Sequence, residues 1–181
     1  ASASVSVVWQ AWEKQRRDLG VKGREQYEGG REKLKKAVAM AALEIVHRAD
    51  HDWRAEAEEL GLEVPKSDHP YMVQVVVTFG AATDDIDARQ KLAKFLDRQA
   101  LAVQWVVSEV SKNLEKYDAS DDSIAALMDL LDDQGGITAI SAAQRQTNSK
   151  DKKPSKRTSH ERIDLDGQKT RDIRISRARK K

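Results

Sequence analysis

The stretch EIVHRADHD, residues 44–52, concentrates the side chains best able to do chemistry. His47 and His51 stand four residues apart, so on a continuous helix both imidazoles project from one face and can chelate Zn²⁺. The run His47-Arg48-Ala49-Asp50-His51 also approaches the H-x-x-E-H arrangement, which places a general-base glutamate between two zinc ligands. Asp50 fills that place one methylene short, and no downstream segment singles itself out as a third ligand. Glu44 and His47 make a Glu-x-x-His step, the spacing of di-iron helical bundles, but such a site needs a second copy. The remaining histidines, His69 and His160, do not follow a glutamate by three residues. The expectation is therefore a polar helix face with His51 and Asp52 near solvent, with no metal site and no cofactor.

Three acidic pairs are the next candidates. Asp84/Asp85 and Asp121/Asp122 fall at expected helix starts, where capping and the helix dipole account for them. Asp132/Asp133 fall at a helix end, against the dipole, which marks them as a cation or partner contact. No activated nucleophile accompanies these acids. Gly20, Gly23, Gly29 and Gly30 lack the Gly-Lys-Ser/Thr step of a phosphate-binding loop. The chain reads as non-enzymatic, with no catalytic residue.

Charge is distributed unevenly. From Ser149 to Lys181 there are 13 Lys/Arg and 5 Asp/Glu, a surplus of +8, while the preceding 148 residues hold 19 and 25, a net −6. One basic group comprises Lys150, Lys152, Lys153, Lys156 and Arg157. A second comprises Arg171, Arg174, Arg177, Arg179, Lys180 and Lys181. These cations suit the phosphate backbone of RNA or DNA, and the lack of aromatics in the segment excludes base stacking by it. Neutralising six to eight phosphates would give a slope of log affinity against log salt of about −5 to −7 on duplex DNA. The competing reading of the same charge is a solubilising tail or a strap for an acidic protein surface. ERIDLDGQKTRDIRI, with Asp166-Gly167 at its centre, pairs poorly as a tight hairpin but suits addition to a partner's sheet.

The elements that must carry these groups read as helices. Val5, Val8, Trp9 and Trp12 predict a short amphipathic helix closed at Gly20, its two tryptophans forming a stripe for core packing, a partner groove or a stacked base. Gly20, Gly23, Gly29 and Gly30 then read as a flexible connection. Leu34, Val38, Ala41, Ala42, Ile45, Ala49, Trp53, Ala57 and Leu60 predict one helix from Arg31 to Leu60, about eight turns long, stopped at Gly61. Residues 71–79 favour a strand by intrinsic preference, yet Met72, Val75, Val76 and Phe79 share a helical face, and helix is the reading adopted. Thr83, Asp84 and Asp85 cap a second long helix whose apolar positions, from Ile86 through Leu92, Val103 and Val110 to Leu114, continue to about Tyr117. A short helix over 124–131 ends at Gly135 and Gly136, and a last one spans Ile137 to Gln146. The segment LMDLLDDQGGITAISAAQRQ resembles a helix-turn-helix, which would place Thr138, Ser141, Gln144 and Arg145 against DNA; a helix running into the tail is the simpler account.

Composition agrees. Aromatics make up 5% of residues, charged residues 34%, and there are three prolines, which suits long solvent-facing helices better than a turn-rich β sandwich. The absence of cysteine excludes disulfides, thiolate ligands and a cysteine nucleophile. No apolar run reaches the length of a membrane helix, and no leader pattern opens the sequence, so the expected location is cytoplasmic or within a nucleoprotein particle, without membrane contact or secretion.

The fold expected is all-α: a helical bundle of two long antiparallel helices plus shorter ones over residues 1–147, acidic in charge, followed by a basic, largely irregular tail over 148–181. The function expected is a helical assembly protein that meets itself or another protein through helical faces. It would bind nucleic acid through the tail, as in a nucleoprotein or virion component. The alternatives are a sequence-specific DNA-binding regulator using residues 124–146 and a helical adaptor whose tail docks on protein.

Overall fold

A computed structural model describes residues 2–26, 28–80 and 86–151, without the side chains of residues 2–6, 86, 150 and 151. Among the described residues the chain is all-α, with seven helices and no strand: α1 (Ser2–Glu25), α2 (Gly30–His47), α3 (Trp53–Glu59), α4 (Met72–Phe79), α5 (Ile86–Lys112), α6 (Asp121–Asp133) and α7 (Gly136–Asp151). None of them is long and apolar enough to cross a membrane.

α1 does not close at Gly20. It continues to Glu25, because Gly20 serves a close approach and not a helix end. A Cβ built there would lie 2.0 Å from the Thr78 carbonyl oxygen of α4. Gly23 likewise meets the start of α2, where a Cβ on Gly30 would lie 2.7 Å from the Gly23 carbonyl oxygen. The connection is thus confined to residues 26–29, and it turns at Gly29 through a left-handed φ of 69°. α2 returns antiparallel to α1: Gly23 meets Gly30, the Trp12 indole N–H donates to the Met40 carbonyl at 3.3 Å, and Glu13 pairs with Arg48. Trp12 is buried, and Trp9 stands edge-on to it at 5.7 Å, so the tryptophan stripe packs within the fold.

The single helix expected from Arg31 to Leu60 is two helices. α2 ends at His47, Arg48 leaves helical geometry at φ −131° and ψ 57°, and α3 starts after Asp52. Asp52 is the cause that sequence periodicity hides: its carboxylate accepts from the amides of Arg54 and Ala55 at 3.1 and 3.0 Å, which fixes a new helix start. Ala49, placed on the apolar stripe by spacing, is exposed in the turn. Leu60 and Leu114, read as core, are 40% and 51% exposed because each lies just past the end of its helix.

Residues 72–79 are helical, and the face read from the sequence, Met72, Val75, Val76 and Phe79, is buried. Thr83, Asp84 and Asp85, expected to cap α5, lie outside the described residues. α6 is capped by Ser120, whose hydroxyl accepts from the Ser123 amide at 3.3 Å. α7 runs past Gln146 to Asp151.

α2 is the centre of the body. Residues 37–44 are buried without interruption, as befits a helix covered on every side. The alanines Ala37, Ala39, Ala41 and Ala42 let neighbours approach its axis, and α1, α4, α5 and α6 all pack on it. Val103, Val106 and Val110 of α5 and Leu127 and Leu131 of α6 complete the apolar core, with Ile140 of α7 at its edge.

Candidate functional site

The end of α2 gathers a charged cluster built from four helices. Arg16 projects from the same face of α1 as Trp12, Leu19, Gly20 and Gly23, the face that docks on the body, and it is fully buried. Its Nε donates to Glu44 Oε2 of α2 at 2.8 Å, its Nη1 to Thr78 Oγ1 of α4 at 2.9 Å, and its Nη2 to Glu56 Oε1 of α3 at 3.0 Å. The guanidinium lies 4.7 Å from the Trp53 ring centroid. A buried arginine is tolerated only where its charge and its N–H groups are met, and here three helices supply the partners.

Around this hub lie Arg17, Arg48, Glu13 and His51. Arg17 donates to Glu56 Oε1 at 3.2 Å, and Arg48 bridges Glu13 and Glu44. His51 Nε2 stands 2.7 Å from Glu56 Oε2, with its ring edge-on to Trp53 at 4.8 Å. Burial pushes the Glu44 carboxyl above its ordinary range by more than the Arg16 charge draws it down. Glu56 goes the other way: burial would raise it, but the Arg16 charge together with hydrogen bonds from His51 and Arg16 holds it below the ordinary range.

The sequence places His47 and His51 on one helix face, and the structure separates them. His47 closes α2 and turns to the Tyr117 carbonyl, 2.6 Å from its Nε2. Asp50 is exposed, and Asp52 caps α3. Glu44, read as part of a polar face, is fully buried. Among the described residues, the three groups with metal-ligating atoms within 4.8 Å of one another are instead Glu13, Glu44 and His51. Both of those carboxylates already hold the Arg48 guanidinium, so the donor set is matched to an arginine cation and locks helices together.

Other candidates also resolve. Asp132, at the end of α6, takes the nearly buried ammonium of Lys35 from α2 at 2.6 Å, and Glu32 approaches the same ammonium at 2.6 Å. That cation offsets the unfavourable helix end. In α7, Thr138 and Arg145 are exposed and Gln144 is half-buried. Ser141 is buried, its hydroxyl 2.8 Å from the Arg98 carbonyl of α5, which removes it from any DNA-facing surface. Of the basic groups, Lys150 falls in the last turn of α7, and Lys152, Lys153, Lys156, Arg157, Arg171, Arg174, Arg177, Arg179, Lys180 and Lys181 lie outside the described residues.

Arg16, Glu56 and Lys35 escaped the sequence reading. For Arg16 the signal was its place four residues after Trp12 and four before Gly20, inside the stripe that docks. The chain matches no protein-family model, no curated protein and no solved structure.

Proposed function

We propose that this chain is a non-enzymatic assembly protein whose helical body makes protein contacts and whose basic C-terminal segment binds nucleic acid, as in a nucleoprotein or virion component. The observation that carries the reading is the segregation of charge, +8 over residues 149–181 against −6 over the preceding 148. Such a segment neutralises phosphates of RNA or DNA with little sequence preference, and the surplus is large enough for tight binding at low salt. The engagement of His47 with a backbone carbonyl and of His51 with Glu56 supports a scaffold role for the titratable groups of the body. Val7 and Val8, 64% and 58% exposed beside Trp9, supply apolar surface for a protein contact, either between copies or with another chain. The cytoplasm or a nucleoprotein particle is the matching location.

The test neutralises the two basic groups separately in the full chain. Glutamine at Lys150, Lys152, Lys153, Lys156 and Arg157, or at Arg171, Arg174, Arg177, Arg179, Lys180 and Lys181, should weaken binding to single-stranded RNA and duplex DNA. Each should also flatten the salt dependence by about 0.7 to 0.9 for every phosphate that is no longer neutralised. Unchanged binding in both variants would refute the tail as the binding segment, and retained preference for one duplex sequence would favour the regulator using residues 124–146.

A further inference from the structure

The acidic body is itself divided. Residues 14–36, the half of the α1–α2 hairpin nearest its turn, hold nine Lys/Arg and four Asp/Glu, a net +5. The other 125 residues of the first 148 hold ten and 21, a net −11. Three of the nine cations are consumed internally: Arg16 in the buried hub, Arg17 against Glu56 and Lys35 against Asp132. Most acids of the hairpin are also committed, Glu32 to Lys35 at 2.6 Å, Asp18 to Lys22 at 2.8 Å and Glu25 to Arg24 at 3.3 Å. The fourth acid, Glu28, is exposed in the connection, so what remains toward solvent is a cationic surplus around one carboxylate. Lys14 and Arg31 are exposed and Lys36 is half-buried, and among the described residues none of the three has an ion-pair or hydrogen-bond partner. Lys33 meets only the neutral Gln26 side chain.

Arg24 is only partly satisfied. Its Nη2 reaches Glu25, but its Nε is buried with no hydrogen-bond partner, an expensive state for a charged donor. Lys22, Arg24, Arg31, Lys33 and Lys36 all lie within about two helical turns of the 26–29 connection, so they share one end of the hairpin. A shallow groove of about 400 Å³ between Gly23, Gln26, Gly30, Arg31 and Leu34 opens at this end. α2 starts there without a side-chain cap, which adds the partial positive charge of its first amides.

We infer that this closed end of the α1–α2 hairpin is a second phosphate-binding surface, on the folded body, for a nucleic-acid backbone. The inference rests on the nucleic-acid reading of the chain but not on the C-terminal segment being the binding element. Arginine forks and lysine ammoniums spaced over two turns suit successive phosphates.

The experiment compares full-length variants by anisotropy of labelled single-stranded RNA across a salt series. Arg31→Gln, Lys33→Gln and Lys36→Gln together should make the salt slope shallower by about 2, at about 0.7 per phosphate, with the helical circular dichroism unchanged. Arg54→Gln, Lys66→Gln and Lys112→Gln, elsewhere on the body, remove the same charge and should leave the slope near that of the unsubstituted chain. Hairpin and control variants with equal losses would overturn the inference, since the effect would then be net charge alone. A hairpin variant that binds like the unsubstituted chain, beside a tail-neutralised variant that does not bind, would overturn it while leaving the proposed function intact. Loss in the hairpin variant with full binding by the tail-neutralised one would uphold it and refute the tail. Binding of the unsubstituted chain to polyglutamate and not to RNA would overturn both.

Discussion

The body is held together differently in its two halves. From α5 to α7 the packing is apolar: Val103, Val106, Val110, Leu127, Leu131 and Ile140 are buried, and the boundaries follow local signals such as the Ser120 cap. From α1 to α4 the same apolar cluster, which includes Trp12, Val38, Met40, Val76 and Phe79, is joined by a fully buried arginine whose partners come from three other helices. An apolar interface tolerates small shifts at modest cost, whereas a buried charge is stable only while every partner is in place. The first half should therefore be the more brittle, and the docking of α1 should fail as a unit.

Arg16→Ala is the most direct way to break that half. It leaves Glu44 and Glu56 buried without their shared counter-ion and should cost about 3–5 kcal/mol, read from urea unfolding. Arg16→Met combined with Glu44→Leu and Glu56→Leu should cost less than Arg16→Met alone, because no buried carboxylate is then left without Arg16, and Arg17 and Arg48, which lose a partner, are partly exposed. Leu127→Ala in the apolar half should cost about 2–5 kcal/mol through reduced burial and the cavity left behind. The two halves should also respond differently to a double variant with Arg16→Ala, adding closely if they are independent.

Gly20→Ala sharpens the comparison through its sign. Helix propensity alone predicts a gain of about 1 kcal/mol, but the added Cβ meets the Thr78 carbonyl oxygen, and overpacking of this kind should cost about 1–3 kcal/mol. Stabilisation by Gly20→Ala would show that α1 and α4 do not approach as described. Smaller still, Asp52→Ala and Ser120→Ala should each cost about 1 kcal/mol by removing a helix cap, one in each half.

Acid should separate the two buried glutamates. Glu56 is held below its ordinary range, so its ionised form stabilises the fold above the unfolded-state value near 4.5, and that contribution is lost as pH falls through the folded-state value. Glu44 is raised, so its contribution is fullest below the unfolded-state value and is lost as pH rises through the folded-state value. Relative to the unsubstituted chain, Glu56→Gln should therefore cost more at pH 7 than at pH 3, and Glu44→Gln less. Parallel pH profiles for the two variants would contradict the opposite assignments.

The same contrast explains what the sequence disclosed. The all-α class, the helix at 72–79 with its buried face, and the core positions of α5 and α6 follow from periodicity, which is a local property. The break at 48–52 was hidden because Ile45, Trp53 and Ala57 keep helical spacing across a turn that Asp52 imposes. Gly20 and Gly23 read as flexible because their need for proximity exists only in the tertiary fold. The chemistry of residues 44–52 was legible as a concentration of groups, but Arg16, 28 residues before Glu44 and 40 before Glu56, could not be joined to them by spacing. The charge segregation that carries the functional reading needed no structure at all.

The central claim is that this chain holds nucleic acid by its phosphates. The measurement that tests it most directly is the salt slope of full-length binding to duplex DNA, taken from about 50 to 200 mM. The account predicts a slope of about −5 to −7 from the C-terminal segment, steeper by about 2 to 3 where the hairpin also engages, with little dependence on base sequence. A slope near zero, or no binding at the lowest salt, would contradict it.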